Sequence, residues 1–140
     1  MEREAVLGAI QAAYDARIAG DKAALGAMTA AGASLAIAGD HSLLVGYRGG
    51  PGKFAATAAD LIDQVRFHSA EQIEAVVEGH RAAIRWRAKL SVPGRTPYDT
   101  ELYDLWELDA AGKLLSLVQF IDTAMLGAEL DKARDEAVRA

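Results

Sequence analysis

The stretch Tyr98–Met125 constrains the fold most, because it reads as two long antiparallel strands joined by a tight turn at Asp109–Gly112. A helix is predicted to begin near Thr123. Side chains alternate between the two faces of a strand. One face of the first strand therefore carries Leu102, Asp104, Trp106 and Leu108. A carboxylate between a leucine and a tryptophan, on a face expected to be buried, is the strongest indication of chemistry in the chain.

The N-terminal part of the chain is predicted to form two helices. Residues 2–19 have apolar positions that recur every three or four residues, as in an amphipathic helix: Leu7, Ile10, Tyr14 and Ile18. Gly20 is expected to end this helix, since glycine readily adopts the left-handed conformation found there. Asp21 can then cap a short second helix over residues 22–30.

The middle of the chain alternates between strands and a third helix. Residues 33–39 predict a short strand, and residues 40–48 predict a loop or a second short strand. A third helix is expected over residues 54–65. The hydrophobic period then changes to two, which predicts a strand over 66–77, with or without a bulge, and a second strand over 81–92.

The strand over residues 81–92 has one apolar and one basic face. Its basic residues are Arg81, Arg85, Arg87 and Lys89. These residues predict ion pairs with Glu101 and Glu107 on the next strand, contacts across a dimer interface, or an anion site. Helices come first and the sheet follows, so the fold class is α+β. We expect a strongly curved antiparallel sheet wrapped around the N-terminal helices, with a C-terminal helix and a conical cavity between the layers.

Composition excludes several classes of function. The 140 residues suit one domain over 1–140, and the net charge of −5 argues against nucleic-acid binding. There is no cysteine, so thiolate chemistry and cysteine metal sites are excluded. The histidines lack the spacing of a zinc site, and no metal or other cofactor is expected. No apolar run is long enough to span a membrane and no signal peptide is recognisable, so a cytoplasmic protein is predicted.

The order of these motifs resembles the nuclear transport factor 2-like superfamily, and within it the SnoaL-like and ketosteroid-isomerase-like proteins. Over residues 4–130, the resemblance is carried by Tyr14 with Gly20-Asp21, by Gly46-Tyr47-Arg48-Gly49, by the strand HRAAIRW, by Tyr103-Asp104-Leu105-Trp106 with the following turn, and by Phe120-Ile121-Asp122-Thr123. The resemblance implies a conical pocket for a small, often apolar molecule. It also implies a homodimer built through the outer face of the sheet. It implies no single activity, since members include isomerases, cyclases, dehydratases, epoxide hydrolases and binding proteins.

Asp104 matches the pocket acid of the ketosteroid-isomerase-like proteins. Burial should raise its pKa, and a protonated carboxyl can stabilise an oxyanion. The alternative is an aspartate that holds the sheet together by hydrogen bonds. The resemblance also implies a carboxylate base near Ile37, which this sequence lacks, although Asp40 follows on the loop. Tyr14 lies about one residue from the expected hydrogen-bond donor position.

Two further residues are candidates for acid–base chemistry. Asp122 ends the last strand, where the SnoaL-like resemblance implies an acid–base carboxylate, but an N-cap of the last helix is the alternative. His68 faces the interior only if a bulge sets its register, and otherwise it is a partly exposed structural histidine. His41 follows Asp40 in a loop, and His80 is placed in a turn.

An apolar pocket wall is expected from the inward-facing large side chains. These are Trp86, Trp106, Phe120 and Leu102, with Tyr14 nearby, and a simple core is the alternative. The Asp–Arg–Asp cluster of the epoxide hydrolases needs an inward arginine, and Arg85 and Arg87 alternate outward. We therefore expect a protein that binds a small apolar or aromatic molecule, with cofactor-free acid–base chemistry of the isomerase or cyclase type. The alternative is a non-catalytic dimeric binding or accessory domain.

Overall fold

The computed structural model describes residues 1–39 and 48–139. Its helices are α1 (Arg3–Ala19), α2 (Lys22–Ala27), α3 (Phe54–Gln64) and α4 (Thr123–Arg139). Its strands are β1 (Thr29–Ile37), β2 (Arg48–Gly49), β3 (Arg66–Glu78), β4 (Arg81–Ser91), β5 (Tyr98–Leu108) and β6 (Leu114–Ile121). Residues 40–47 lie outside the described residues. They include Asp40, His41, most of the predicted loop or short strand over 40–48, and the Gly46-Tyr47 part of the motif on which the resemblance rests.

The ends of the first two helices follow the predicted capping residues. Gly20 has a φ of 71°, and its backbone N–H donates to the last turn of α1. The carboxylate of Asp21 accepts a hydrogen bond of 3.0 Å from the backbone N–H of Ala24 at the start of α2. α2 is shorter than predicted and β1 begins earlier, because Thr29 already pairs with Leu114 in the sheet.

The buried face of α1 is displaced by about one position from the predicted face. Its buried residues are Val6, Ile10, Ala13, Tyr14, Ala16 and Arg17, while Leu7 and Ile18 are only half-buried. Hydrophobic periodicity did not predict the whole of this buried face, because the face includes the charged residue Arg17. Arg17 therefore points toward the sheet, although its charge predicted a solvent-exposed position.

The α+β class is confirmed, but the sheet is mixed rather than antiparallel. The strand order is β2-β1-β6-β5-β4-β3, and β1 runs parallel to β6. All other neighbouring strands are antiparallel. The parallel pair is possible because α3 and four strands separate β1 from β6 in the chain, which is long enough for a crossover connection.

Bulges bend the long strands around the helices. β3 carries register shifts between Phe67 and Ser69 and between Gln72 and Glu74, which bears out the predicted bulge. Each extra residue increases the local twist of the strand. α1 packs on β3, and α3 packs on β1. Tyr14 of α1 contacts Asp104 and Phe54 of α3 contacts Trp106, so both helices lie over the same face of the sheet. This inner face and the helices enclose the core. In the described part of the chain, no helix is long and apolar enough to cross a membrane.

Candidate functional site

Asp104 lies at the centre of the inner face of the sheet. Its side chain is only 2 % exposed, and its neighbours on that face, Leu102, Trp106 and Leu108, are also buried. Tyr103 and Leu105 are exposed on the opposite face. The alternation predicted for β5 is therefore the alternation observed.

Three side chains donate hydrogen bonds to the carboxylate of Asp104. Oδ2 accepts from the hydroxyl of Tyr14 on α1 and, at 2.9 Å, from the indole Nε1 of Trp106. Oδ1 accepts from Nε2 of Gln119 at 3.1 Å. Gln119 lies directly opposite Asp104 in the β5–β6 ladder and also donates to the Tyr14 oxygen at 2.9 Å. These contacts join one helix and two strands at one buried carboxylate.

Burial dominates the protonation behaviour of Asp104 and Tyr14. Loss of water around the Asp104 carboxyl raises its pKa, and this effect outweighs the three hydrogen bonds and the positive charge of Arg17, which lower it. Burial raises the pKa of Tyr14 well above its usual value, and the nearby Asp104 carboxylate raises it further. Tyr14 therefore keeps its proton and acts as a hydrogen-bond donor.

Aromatic rings surround the Tyr14–Asp104 pair. The ring of Trp86 lies 4.0 Å from that of Tyr14, measured between centroids, and Phe67 lies 5.7 Å from it. Trp106 approaches Tyr14 edge-on at 6.4 Å and also contacts Phe54 on α3. This dry environment strengthens the electrostatic interactions of the pair.

Arg17 lies beside this pair, and the sequence analysis missed it. Its side chain is only 8 % exposed, and its guanidinium carbon lies 4.0 Å from the ring centroid of Phe67 and 5.9 Å from that of Tyr14. Burial lowers the pKa of this guanidinium, while Tyr14 and Asp104 raise it. Arg17 follows Tyr14 by three residues, which puts both side chains on one face of α1. This spacing is the sequence feature that could have predicted Arg17 as a neighbour of Tyr14.

Gln119 was also missed, although it completes the hydrogen bonding of Asp104. An amide inside an apolar strand gives no hydrophobic signal. Only the register of β5 against β6 would have placed it opposite the carboxylate.

Three predicted site residues lie away from Asp104. The prediction that Phe120 lines the interior is wrong: it is 53 % exposed, because it pairs with the outward-facing Tyr103. Asp122 is exposed and accepts a hydrogen bond of 3.0 Å from the Met125 N–H, as an N-cap of α4 does. His68 is exposed at the first bulge of β3, where its Nε2 lies 2.7 Å from the hydroxyl of Ser91.

The remaining predicted residues come together around Asp104. Tyr14, Trp86, Trp106 and Leu102 are all buried there. Ile37 is buried as well and provides no carboxylate, so Asp104 is the one acidic group in this cluster among residues 1–39 and 48–139. Three surface depressions are lined by described residues alone, and Asp104 borders none of the three.

The basic residues of β4 lie on the outer face and pair with acidic neighbours. Nε of Arg85 donates to Glu101 at 2.7 Å, which confirms one of the predicted cross-strand pairs. Arg81 lies opposite Glu107 in the ladder. Longer contacts of 3.9 Å join Arg87 to Glu71 and Lys89 to Asp99.

Solved structures with this architecture belong to several functional classes. A candidate isomerase from Rhodopseudomonas palustris is 19 % identical, with 95 % of this chain and 99 % of that chain covered and a TM-score of 0.74. A nuclear transport factor 2-like protein from Burkholderia xenovorans is 21 % identical, with 93 % and 98 % covered and a TM-score of 0.68. An epoxide hydrolase of the LEH-like type from Mycobacterium tuberculosis is 15 % identical, with 96 % of both chains covered and a TM-score of 0.70.

These similarities identify the fold as that of the nuclear transport factor 2-like proteins. At such low sequence identity they establish the fold and no activity. No protein-family model matches the sequence, and no curated protein matches it either.

Proposed function

We propose that the protein binds a small apolar or aromatic molecule between the inner face of the sheet and helices α1 and α3. Asp104 and Tyr14 would then perform cofactor-free acid–base chemistry of the isomerase or cyclase type. The observation that carries this proposal is the buried hydrogen bond between the Tyr14 hydroxyl and the Asp104 carboxyl, set among aromatic rings. The domain would comprise residues 1–140 and work in the cytoplasm.

The chemical role follows from the two protonation states. A phenol and a protonated carboxylic acid are both hydrogen-bond donors, and burial favours the proton on each of them. In the free protein the Tyr14 hydroxyl donates to the Asp104 carboxyl. A ligand oxygen that entered between the two groups would accept from Tyr14 and from the protonated acid, and two such donors stabilise the negative charge that develops on a carbonyl oxygen when an enolate forms. Gln119 holds both oxygens in position and would orient the donors.

The described residues supply the acid more clearly than the base. Ile37 occupies the region where the resemblance implies a carboxylate base, and Asp122 and His68 are exposed and bonded elsewhere. We therefore assign Asp104 and Tyr14 the role of oxyanion stabiliser or proton donor. Leu102, Trp86 and Trp106 would contact the apolar body of the ligand.

Binding of 2-naphthol tests this role. A site that stabilises an oxyanion binds the ionised phenol preferentially, and the near-ultraviolet absorption spectrum of the bound naphthol reports its ionisation. Tyr14→Phe and Asp104→Asn should each weaken binding of the ionised form by about 10- to 100-fold, the value of a charge-assisted hydrogen bond. Tyr103→Phe, which changes an exposed tyrosine on the outer face, is the matched control. Absence of binding, or equal binding by all four proteins, would rule out the proposed chemistry.

One observation favours a non-catalytic binding or accessory domain instead. The Asp104 carboxylate accepts hydrogen bonds from Tyr14, Trp106 and Gln119 and so links α1, β5 and β6. In that case Asp104→Asn would lower thermal stability, and no compound of the naphthol series would bind.

We also propose that the outer face of the sheet forms a homodimer. Four apolar residues lie side by side across it in register: Val76, Ala83, Leu105 and Val118. Val76, Leu105 and the neighbouring Phe120 are exposed. A second copy would cover this row, and the charged residues beside it would form the rim. Leu105→Lys should yield a monomer in analytical ultracentrifugation, and a wild-type protein that is already monomeric would disprove the dimer.

A further inference from the structure

Arg17 is a buried cation, and one of its guanidinium nitrogens lacks a hydrogen-bond acceptor among the described residues. Its Nη2 atom is enclosed and has no partner within the described part of the chain. The guanidinium stacks on Phe67, which offers a cation–π attraction but accepts none of the N–H groups in their plane. A buried charged donor without an acceptor costs free energy, so a group of this kind needs an explanation.

Within residues 1–39 and 48–139, the nearby groups do not provide that acceptor. The Asp104 carboxylate interacts with Arg17 electrostatically, but its hydrogen bonds come from Tyr14, Trp106 and Gln119. The last carbonyls of α1 are bonded as well, since the N–H groups of Gly20 and Asp21 donate to Arg17 and Ala16. The guanidinium therefore does not serve as the cap of its own helix.

The position of Arg17 relates it to the Tyr14–Asp104 pair. Arg17 and Tyr14 are three residues apart on α1, which separates them by roughly one turn along the same face. The guanidinium carbon is 5.9 Å from the centre of the Tyr14 ring. A ligand that contacts the Tyr14 ring would thus lie within reach of the guanidinium.

We propose that Arg17 is an anion-binding residue of the interior, and that the natural ligand carries a carboxylate or a similar planar anion on its apolar body. A guanidinium binds a carboxylate through two parallel hydrogen bonds, which would satisfy the orphaned donor. This inference rests on the proposed function only in requiring that a small molecule enters the interior. It narrows the ligand from any apolar compound to an apolar organic anion.

Paired binding of 2-naphthoate and 2-naphthamide tests the inference by isothermal titration calorimetry. The two compounds share their ring system and differ in charge. Wild-type protein should bind the carboxylate at least about tenfold more tightly than the amide. Arg17→Met should remove this preference while keeping the affinity for the amide, and Arg17→Lys should keep part of it. Arg87→Met removes the same charge from the exposed outer face and should behave like wild type.

The melting temperature separates a binding role from a structural one. Arg17→Met replaces an unsatisfied buried charge by a side chain of similar length, so the variant should melt at the same temperature as wild type or higher. A large drop in melting temperature, equal binding of the two compounds by wild type, or no binding of either would overturn the inference. If the preference for carboxylate is absent while 2-naphthol still ionises in the site, only the inference about Arg17 fails. If Arg17 selects the carboxylate but 2-naphthol stays neutral, only the proposed acid–base chemistry fails.

Discussion

The two faces of β5 carry acidic residues in opposite environments. On the inner face, Asp104 is buried and accepts three hydrogen bonds from Tyr14, Trp106 and Gln119. On the outer face, Glu101 is about half-exposed and forms an ion pair with Arg85. Water screens the outer pair and can replace either partner, whereas nothing replaces the partners of the inner carboxylate. The same strand thus holds one carboxylate whose partners are irreplaceable and one whose loss the protein should tolerate.

The largest expected effect comes from removing the inner carboxylate. Asp104→Ala leaves the donors of Tyr14, Trp106 and Gln119 without an acceptor in a buried site, so we expect the free energy of unfolding to fall by about 3–5 kcal/mol. Urea denaturation followed by tryptophan fluorescence measures it. Glu101→Ala on the outer face is the control and should leave the midpoint unchanged. Similar losses for both variants would refute the contrast between the two faces.

A smaller effect is expected from the tyrosine that donates to Asp104. Tyr14→Phe keeps the ring packed on Trp86 but removes one hydrogen bond and leaves Asp104 and Gln119 partly unsatisfied, which should cost about 1–3 kcal/mol in the same assay. Tyr103→Phe removes the hydroxyl that donates to Glu74 at 2.8 Å on the outer face. Its midpoint should match that of wild type, and an equal loss in this variant would count against a special role for Tyr14.

The smallest expected effect is a pH dependence of opposite sign at two acidic residues. The pKa of Asp104 is raised by burial, so its contribution to stability is fully present below the pKa of the unfolded chain and is lost as pH rises through the folded pKa. The pKa of Glu129 is lowered by its hydrogen bond with Arg95, so its contribution is present above the unfolded pKa and is lost as pH falls through the folded pKa.

Stability profiles of variants test the two signs. Relative to Asp104→Asn, wild type should lose stability with rising pH above about 4, the unfolded pKa of aspartate. Relative to Glu129→Gln, wild type should lose stability with falling pH below that region. Slopes of the same sign in both comparisons would show that burial does not govern Asp104.

For the inner face, strand alternation is the sequence pattern that predicts which side chains point inward. Alternation within β5 predicts the inward side chains of Leu102, Asp104 and Trp106 from their spacing alone. The same alternation, continued across the hairpin, pairs Phe120 with an outward-facing residue of β5. It therefore predicts that Phe120 points outward, in conflict with the assignment of Phe120 to the pocket wall.

Gln119 and Arg17 required information that the sequence pattern does not contain. A hairpin centred on Asp109–Gly112 would place Leu117 opposite Asp104. The turn closes one residue later, since the Asp109 N–H donates to the carbonyl of Lys113, and a register shift between Glu107 and Leu108 adds a second step. Gln119 therefore lies opposite Asp104, and no residue type marks either step. Arg17 is buried by tertiary packing on Phe67, which outweighs the usual preference of a charged side chain for water. The parallel pairing of β1 with β6 was missed for a related reason, since it joins segments that are distant in the chain.

The most direct test of the account is the pKa of the Asp104 carboxyl, measured by the ¹³C chemical shift of that carbon as pH is varied. The account predicts a pKa above the ordinary value of aspartate, with a further rise when ionised 2-naphthol is bound, because the anion favours the protonated acid. A pKa at or below about 4, the ordinary value of aspartate, unchanged by 2-naphthol, would contradict the proposal that Asp104 is the proton-donating group of a binding site.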